Sequence, residues 1–291
     1  MSDEITTEKI IDASLAATKL AYDDAVKPAA KEVGKALETV VKTINVALSP
    51  IKGLVWSYEQ FEDFLQEKVA VKLENTKKEN IQTPRPNIAV PAIEALRYSG
   101  EIPELAELYA ELLATSMDKT REKDAHPAFV SVIKELSPDE AKLLSMLMHC
   151  QSIPVLEIRQ RAPLNDGSGE FHPSRFFVYQ KYFSNLPFAV GCREPQNFPR
   201  YVDNLVRLGI FRLVEDHSLL ADAYKGIYDS AEYREYLNRH KHLDIFDYKR
   251  KIDITDFGTQ FLRVCIPRQG RVVAVDPAEQ GVACNTDSQV G

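Results

Sequence analysis

The chain has 291 residues, 44% hydrophobic and 27% charged, which is the balance of a water-soluble globular protein able to bury one large or two ordinary cores. Its formal net charge of −7 is spread unevenly: positions 1–136 hold 17 Lys/Arg against 23 Asp/Glu, positions 137–270 hold 18 against 17, and positions 271–291 hold 1 against 3. Neither half has the basic excess with which a nucleic-acid-binding domain neutralises phosphate, and four cysteines without a CxxC pair argue against a zinc module, a redox motif or a disulfide scaffold and read as reduced thiols in a cytoplasmic protein.

Residues 1–26 carry acids early and lack the basic segment and unbroken apolar run of a secretory signal, so they read as an N-terminal helix or flexible arm. From Lys27 to Leu136 the pattern is helical. Val33, Leu37, Val40, Val41, Ile44 and Leu48 form a 3.6-residue stripe. Ser49-Pro50 kinks or restarts that helix, and the next segment places Leu54, Tyr58, Phe61 and Leu65 on one side of a wide apolar face that includes the only Trp, Trp56. With Lys on its polar side, the stretch 31–73 is also the composition of an interfacial membrane helix, for which Trp56, Tyr58 and Phe61 are the candidate contacts. A bundle core helix explains the same stripe and is the favoured reading.

Three prolines in KKENIQTPRPNIAVP predict an extended connector over 77–91. Ala92 to Tyr98 then reads as a short helix stopped at Gly100 by a left-handed cap. The clearest helix follows, with Leu105, Leu108, Tyr109, Leu112 and Leu113 on one stripe and Ala106, Ala110 and Ala114 on a flatter side that another helix can approach closely.

The segment DAHPAFVSVIKELSPDEAKLL resembles an acidic catalytic signature, but each residue has a simpler role. Pro127 suits a first helical position, and His126 beside it can fix the turn. Ser137, Pro138, Asp139 and Glu140 fit a capping box: Ser as N-cap, Pro next, Asp at the positive end of the helix dipole and Glu reaching back. Ser137 and Glu140 are therefore structural capping residues, and on this reading Glu140→Gln is tolerated better than Ser137→Ala.

Beyond Ser137 the order changes to helix, strand (IPVLEIRQ), helices, strand (Ile210 to Val214), strand (Ile252, Ile254) and a final helix capped by Thr255, which is the order of a winged helix. The whole is expected to be mainly α: an N-terminal helical bundle at 27–136, then a winged-helix-like α+β domain at 137–268 whose wing is enlarged by an insert at 215–249. That insert holds 5 basic and 8 acidic residues and contains a helix near Ala231 to Arg239. Residues 269–291 read as a disordered tail.

Catalytic chemistry finds no foothold. There is no P-loop or HExxH, Asp166 to Gly169 is a loop turn, and Cys192 lacks a partnered base, so no catalytic, cofactor-binding or metal-binding residue is assigned and no cofactor is expected. His240 and His242 flank Lys241 as a solvated pair. Arg200, Asn204 and Arg207 share one helix face and are the candidate nucleic-acid contacts, opposed by Asp203 and by the acidic wing.

The blocks PNIAVPAIEALRYSG, LYAELLATSMD, AHPAFV with LSPDEAKLL, YVDNLVRLGIF and ITDFGTQFL resemble the abortive infection alpha family of bacterial proteins, from about Lys27 to Cys265. The resemblance implies defence against bacteriophage, in which an infected cell stops growing or dies before phage are released, and it carries over no catalytic residue. The expected role is a non-enzymatic scaffold or effector acting on a protein partner, phage-derived partners included, with a DNA-binding regulator and a membrane-acting effector as alternatives.

Overall fold

The computed structural model describes residues 64–148, 150–164, 170–214 and 217–267, with isolated positions 42, 45, 46 and 49. The expected arm at 1–26, the tail at 269–291 and the candidate membrane contacts Trp56, Tyr58 and Phe61 lie outside the described residues.

The fold is mixed α+β with helix predominating. A π-helical turn, Leu65–Val69, runs into α1 (Ala70–Leu73), followed by α2 (Pro86–Ser99), α3 (Pro103–Met117), α4 (Ala128–Lys134) and α5 (Pro138–Met146). Helix α3 is the axis of this part: Pro103 starts it where a missing N–H costs nothing, and twelve of its fifteen residues are buried. Its alanines admit α2 and, from the far end of the sequence, α10 (Asp256–Cys265). The π turn and α1 dock on α3 through Lys68 and Lys72, which reach Glu107 at 2.6 and 2.9 Å, while Lys72 also meets the buried Glu111 at 2.9 Å. Burial opposes charge on Lys72, but hydrogen bonds to Glu107 and Glu111 outweigh it and raise its pKa.

The connector ends at Arg85, because Pro86 takes the first position of α2 and Pro91 sits inside that helix. The carbonyl that Pro91 deprives of a donor belongs to Asn87, an exposed residue at which water can substitute. Gly100 caps α2 with right-handed dihedrals, φ −64° and ψ −24°, so the chain leaves that helix without a left-handed residue.

A four-stranded antiparallel sheet follows, in the order β2-β1-β4-β3: β1 (Ser152–Pro163), β2 (Phe171–Phe183), β3 (Phe211–Val214) and β4 (Ile245–Ile254). Strand β2 had no counterpart in the sequence reading. Between β2 and β3 lie α6 (Leu186–Ala189) and α7 (Phe198–Arg207); between β3 and β4 lie α8 (Lys225–Tyr228) and α9 (Ala231–Arg239). Strand β4 begins at Ile245, so the last five positions assigned to the insert are strand, and β3 pairs only with Lys251 to Ile254. Helix α7 ends at Gly209, φ +75°, where Gly209 N–H donates to Val206 O and Ile210 N–H to Leu205 O, a Schellman ending that needs a left-handed residue.

One hydrophobic core runs from Leu65 through α2 to α5, the base of β1, α7 and β4, and α10 to Ile266, across the expected boundary at 136/137. A second, smaller cluster joins Leu156, Ile158 and Phe183 of the sheet to Tyr224, Ile227 and Tyr233 of the insert. Cys192 and Cys265 are free thiols. Cys150 is disulfide-bonded, contrary to the expectation of four reduced cysteines.

Candidate functional site

Two constellations surround α7. The first grows from the capping box. Glu140 N–H donates to Ser137 Oγ at 3.3 Å and Ser137 N–H to Glu140 Oε2 at 2.6 Å, which is the reciprocal arrangement that satisfies two helix-start donors. The two acids also reach outward. Asp139, buried, accepts from Arg193 N–H and Glu194 N–H at 2.9 Å each and from Tyr201 Oη at 2.8 Å. Burial works against its charge, yet these three donors win and hold its pKa below the ordinary carboxylate value. Glu140 Oε1 accepts from Asn204 Nδ2 at 2.8 Å.

This clamp decides how the candidate nucleic-acid residues are used. Asn204 also donates to Glu135 O at 3.1 Å, Arg207 donates to Asn204 Oδ1 at 2.7 Å and pairs with Glu135 at 2.7 Å. Asn204 and Arg207 are thus joined in a network with α5, while Arg200 stands exposed on the preceding turn, apart from it. Cys192 lies against the clamp, 3.8 Å from Asp139 O, and burial followed by the Asp139 charge pushes its thiol up to about 12, the opposite of what a nucleophile requires. His126 accepts from Ala128 N–H through Nδ1 at 3.1 Å and rests its ring beside Phe129 and Phe257. Pro127 stands one position ahead of its expected place, as N-cap of α4.

The second constellation is a cavity of about 540 Å³ on the other side of α7. Strand β2 forms one wall with Tyr179, Gln180, Tyr182 and Phe183. In a regular strand neighbours alternate between faces, so four of five consecutive positions on one cavity require irregularity, and β2 has it. Its pairing with β1 shifts between Leu156/Ile158 and again between Ile158/Arg159, with Tyr179 the extra residue at the second bulge, and Tyr182 adopts φ +51°, rare for an aromatic residue. The second wall is Phe188 of α6, Pro195 in the turn before α7, and Phe198 and Pro199 at the start of α7. Helix α9 supplies the third, with Glu232, Glu235, Tyr236, Arg239 and His240 beyond its end.

The aromatic rings support one another. Tyr236 lies 5.0 Å from Phe183 and 4.4 Å from His240, and His240 meets Tyr179 edge-on at 5.3 Å. The His240 ring is therefore a cavity wall rather than half of a solvated pair. Tyr236 Oη is buried without a hydrogen-bond partner, and burial followed by the Tyr179 phenol pushes its pKa up to about 12. Sequence reading missed this site because β2 hides its register, although the density of aromatics in FFVYQKYF was a visible signal.

Among curated proteins none matches this chain. It is similar to the solved structure of an uncharacterized protein from the hydrocarbon-degrading marine bacterium Alcanivorax borkumensis SK2, at 18% identity over 47% of this chain and 91% of that one, with a TM-score of 0.29. Residues 57–265, more than two thirds of the sequence, match the family described as abortive infection alpha, and the chain belongs to that family.

Proposed function

We propose that this abortive-infection protein works without catalysis, as a scaffold or effector that engages a protein partner, of phage or host origin. The observation that carries this reading is strand β2. It lies at the edge of the sheet, and Phe176, Phe177, Val178 and Tyr179 are each more than a third exposed. A strand edge that is unpaired among the described residues and carries contiguous exposed apolar side chains is a surface that proteins use to receive another chain.

A second reading has support in the strand order. Taken without β2, the order β1-β4-β3 with α7 before the β3-β4 pair is compatible with a winged helix, in which α7 would serve as the recognition helix. Against DNA binding stand the engagement of Asn204 and Arg207 with Glu135 and Glu140 and the acidic insert. The two readings separate in a gel-shift titration at two salt concentrations: phosphate contacts give binding that falls steeply with salt, whereas the scaffold reading expects no shift at either. Paired with this, a plaque assay of Phe177→Asp and Tyr179→Asp on β2 should show lost protection at unchanged melting temperature. A protein that shifts DNA and tolerates both substitutions overturns the scaffold reading.

A further inference from the structure

Elsewhere this protein brings cations onto aromatic rings in a regular way. The Arg159 guanidinium lies 4.2 Å from both the Phe176 and Tyr248 ring centres, Arg250 lies 4.8 Å from Tyr248, and Lys249 sits over Tyr224 and Tyr228. The cavity walled by β2, α7 and α9 has a similar set of rings, but the arginine in its wall, Arg239, is paired with a carboxylate rather than stacked on them. Among the described residues no Lys or Arg lies over Tyr179, Tyr182 or Tyr236, and Glu232 has no cationic partner, whereas Arg239 at the rim is held by Glu235 at 2.6 Å.

From this geometry we infer that the cavity receives the arginine side chain of a protein partner, an assignment that rests on the interaction reading above and names the chemistry of its contact. Glu232 and Tyr236 are i and i+4 on α9, so they share a face and both line the cavity. A planar guanidinium can stack on the tyrosines and donate through its edge to the Glu232 carboxylate at once. A lysine ammonium, compact and strongly hydrated, stacks less well while it donates. The volume exceeds that of one side chain, leaving room for the backbone that carries it. Charge favours the same partner, since the insert that contributes α9 has an excess of three acids and the chain a net charge of −7. The outer edge of β2, unpaired among the described residues, offers backbone groups to the flanking peptide.

The test uses the full chain with labelled Tyr and Phe rings, observed by NMR, and three probes: N-acetyl-arginine amide, its neutral isostere N-acetyl-citrulline amide, and adenosine. The arginine amide should shift the signals of Tyr179, Tyr182 and Tyr236 saturably, with a dissociation constant on the order of 1 mM. Citrulline amide should bind about tenfold more weakly or not at all, and Glu232→Gln should weaken the arginine amide by about tenfold without changing its own melting temperature. Equal binding of citrulline amide, preferential binding of adenosine, or no saturable shift with the arginine amide each overturns the assignment. None of these outcomes bears on the gel shift or on the plaque assay of Phe177→Asp, whose side chain does not line the cavity, so the interaction reading is judged separately.

Discussion

Glu140 uses its two carboxylate oxygens for two different donors, Ser137 N–H on Oε2 and Asn204 Nδ2 on Oε1. A glutamine has a single acceptor oxygen, so Glu140→Gln satisfies one donor and turns its own NH₂ toward the other. From the reciprocal cap alone, the glutamine is expected to be mild. The geometry reverses the order: Ser137→Ala should cost roughly 0.5 to 2 kcal/mol, and Glu140→Gln about 1 to 3 kcal/mol because a buried donor is left facing another donor. Denaturant midpoints of the two variants check this, and a glutamine variant as stable as the parent would sink it. Asp139 makes a prediction about pH. Its folded pKa lies below that of an unfolded aspartate, burial being outweighed by the Arg193, Glu194 and Tyr201 donors. Its contribution is therefore complete above the unfolded value and disappears as pH falls through the folded one. Asp139→Asn should be less stable than the parent at neutral pH, with the gap narrowing below about pH 4. A gap that stays constant from pH 7 to pH 3 contradicts the clamp.

At the scale of elements, legibility in the sequence follows regularity. Helix α3 was readable because its apolar and alanine positions keep the helical period from Leu105 to Ala114, and α9 and α10 because Ser230 and Thr255 announce them, each side chain accepting from an N–H three residues on. Strand β2 was not, because two bulges break the alternation by which a strand is recognised, and those bulges are what bring Tyr179 and Tyr182 into the cavity. The site was hidden for the same reason that it exists. Capping by SPDE was legible from four adjacent residues, but the outward reach of Asp139 and Glu140 to α7 spans more than fifty positions, and local spacing holds no trace of it. A similar long-range constraint governs α10. A Cβ built on Gly258 would lie 2.4 Å from Ile210 O, so α10 packs directly on the backbone that follows α7. Gly258→Ala must push the two apart, at a cost of about 1 to 3 kcal/mol. Thermal melts should show the loss, whereas alanine's better helix propensity alone predicts a gain.

Across the whole molecule the two hydrophobic clusters are unequal, and the inequality sets an order of stability. The larger one takes in helices from both halves of the sequence: α10 packs on α3, and Thr115 Oγ1 of α3 donates to Val264 O of α10 at 3.4 Å. To open any part of it is to expose the rest, so α2, α3, α5, α7 and α10 should unfold together. The insert is attached differently. Tyr224, Ile227 and Tyr233 cover one patch of the sheet at Leu156, Ile158 and Phe183, helped by hydrogen bonds from Tyr228 and Tyr233 to Asp247 at 2.6 and 3.0 Å and from Tyr224 to Arg250 O at 2.8 Å. Six buried residues stand against a core several times larger, and much of the outer face of α9 is exposed. Release of α8 and α9 from the sheet therefore costs less than global unfolding, in the manner of a sub-global opening. Native-state hydrogen exchange should show the amides of Tyr233 to Arg239 exchanging through an opening of lower free energy and smaller denaturant dependence than those of Leu108 to Ala114. Because α9 forms the cavity wall that carries Glu232 and Tyr236, a ligand seated there holds the insert to the sheet, and saturating N-acetyl-arginine amide should slow exchange in α9 while leaving α3 unchanged. Equal protection of the two helices without ligand would mean that the small cluster is as strongly coupled to the fold as the large one, against the packing described here.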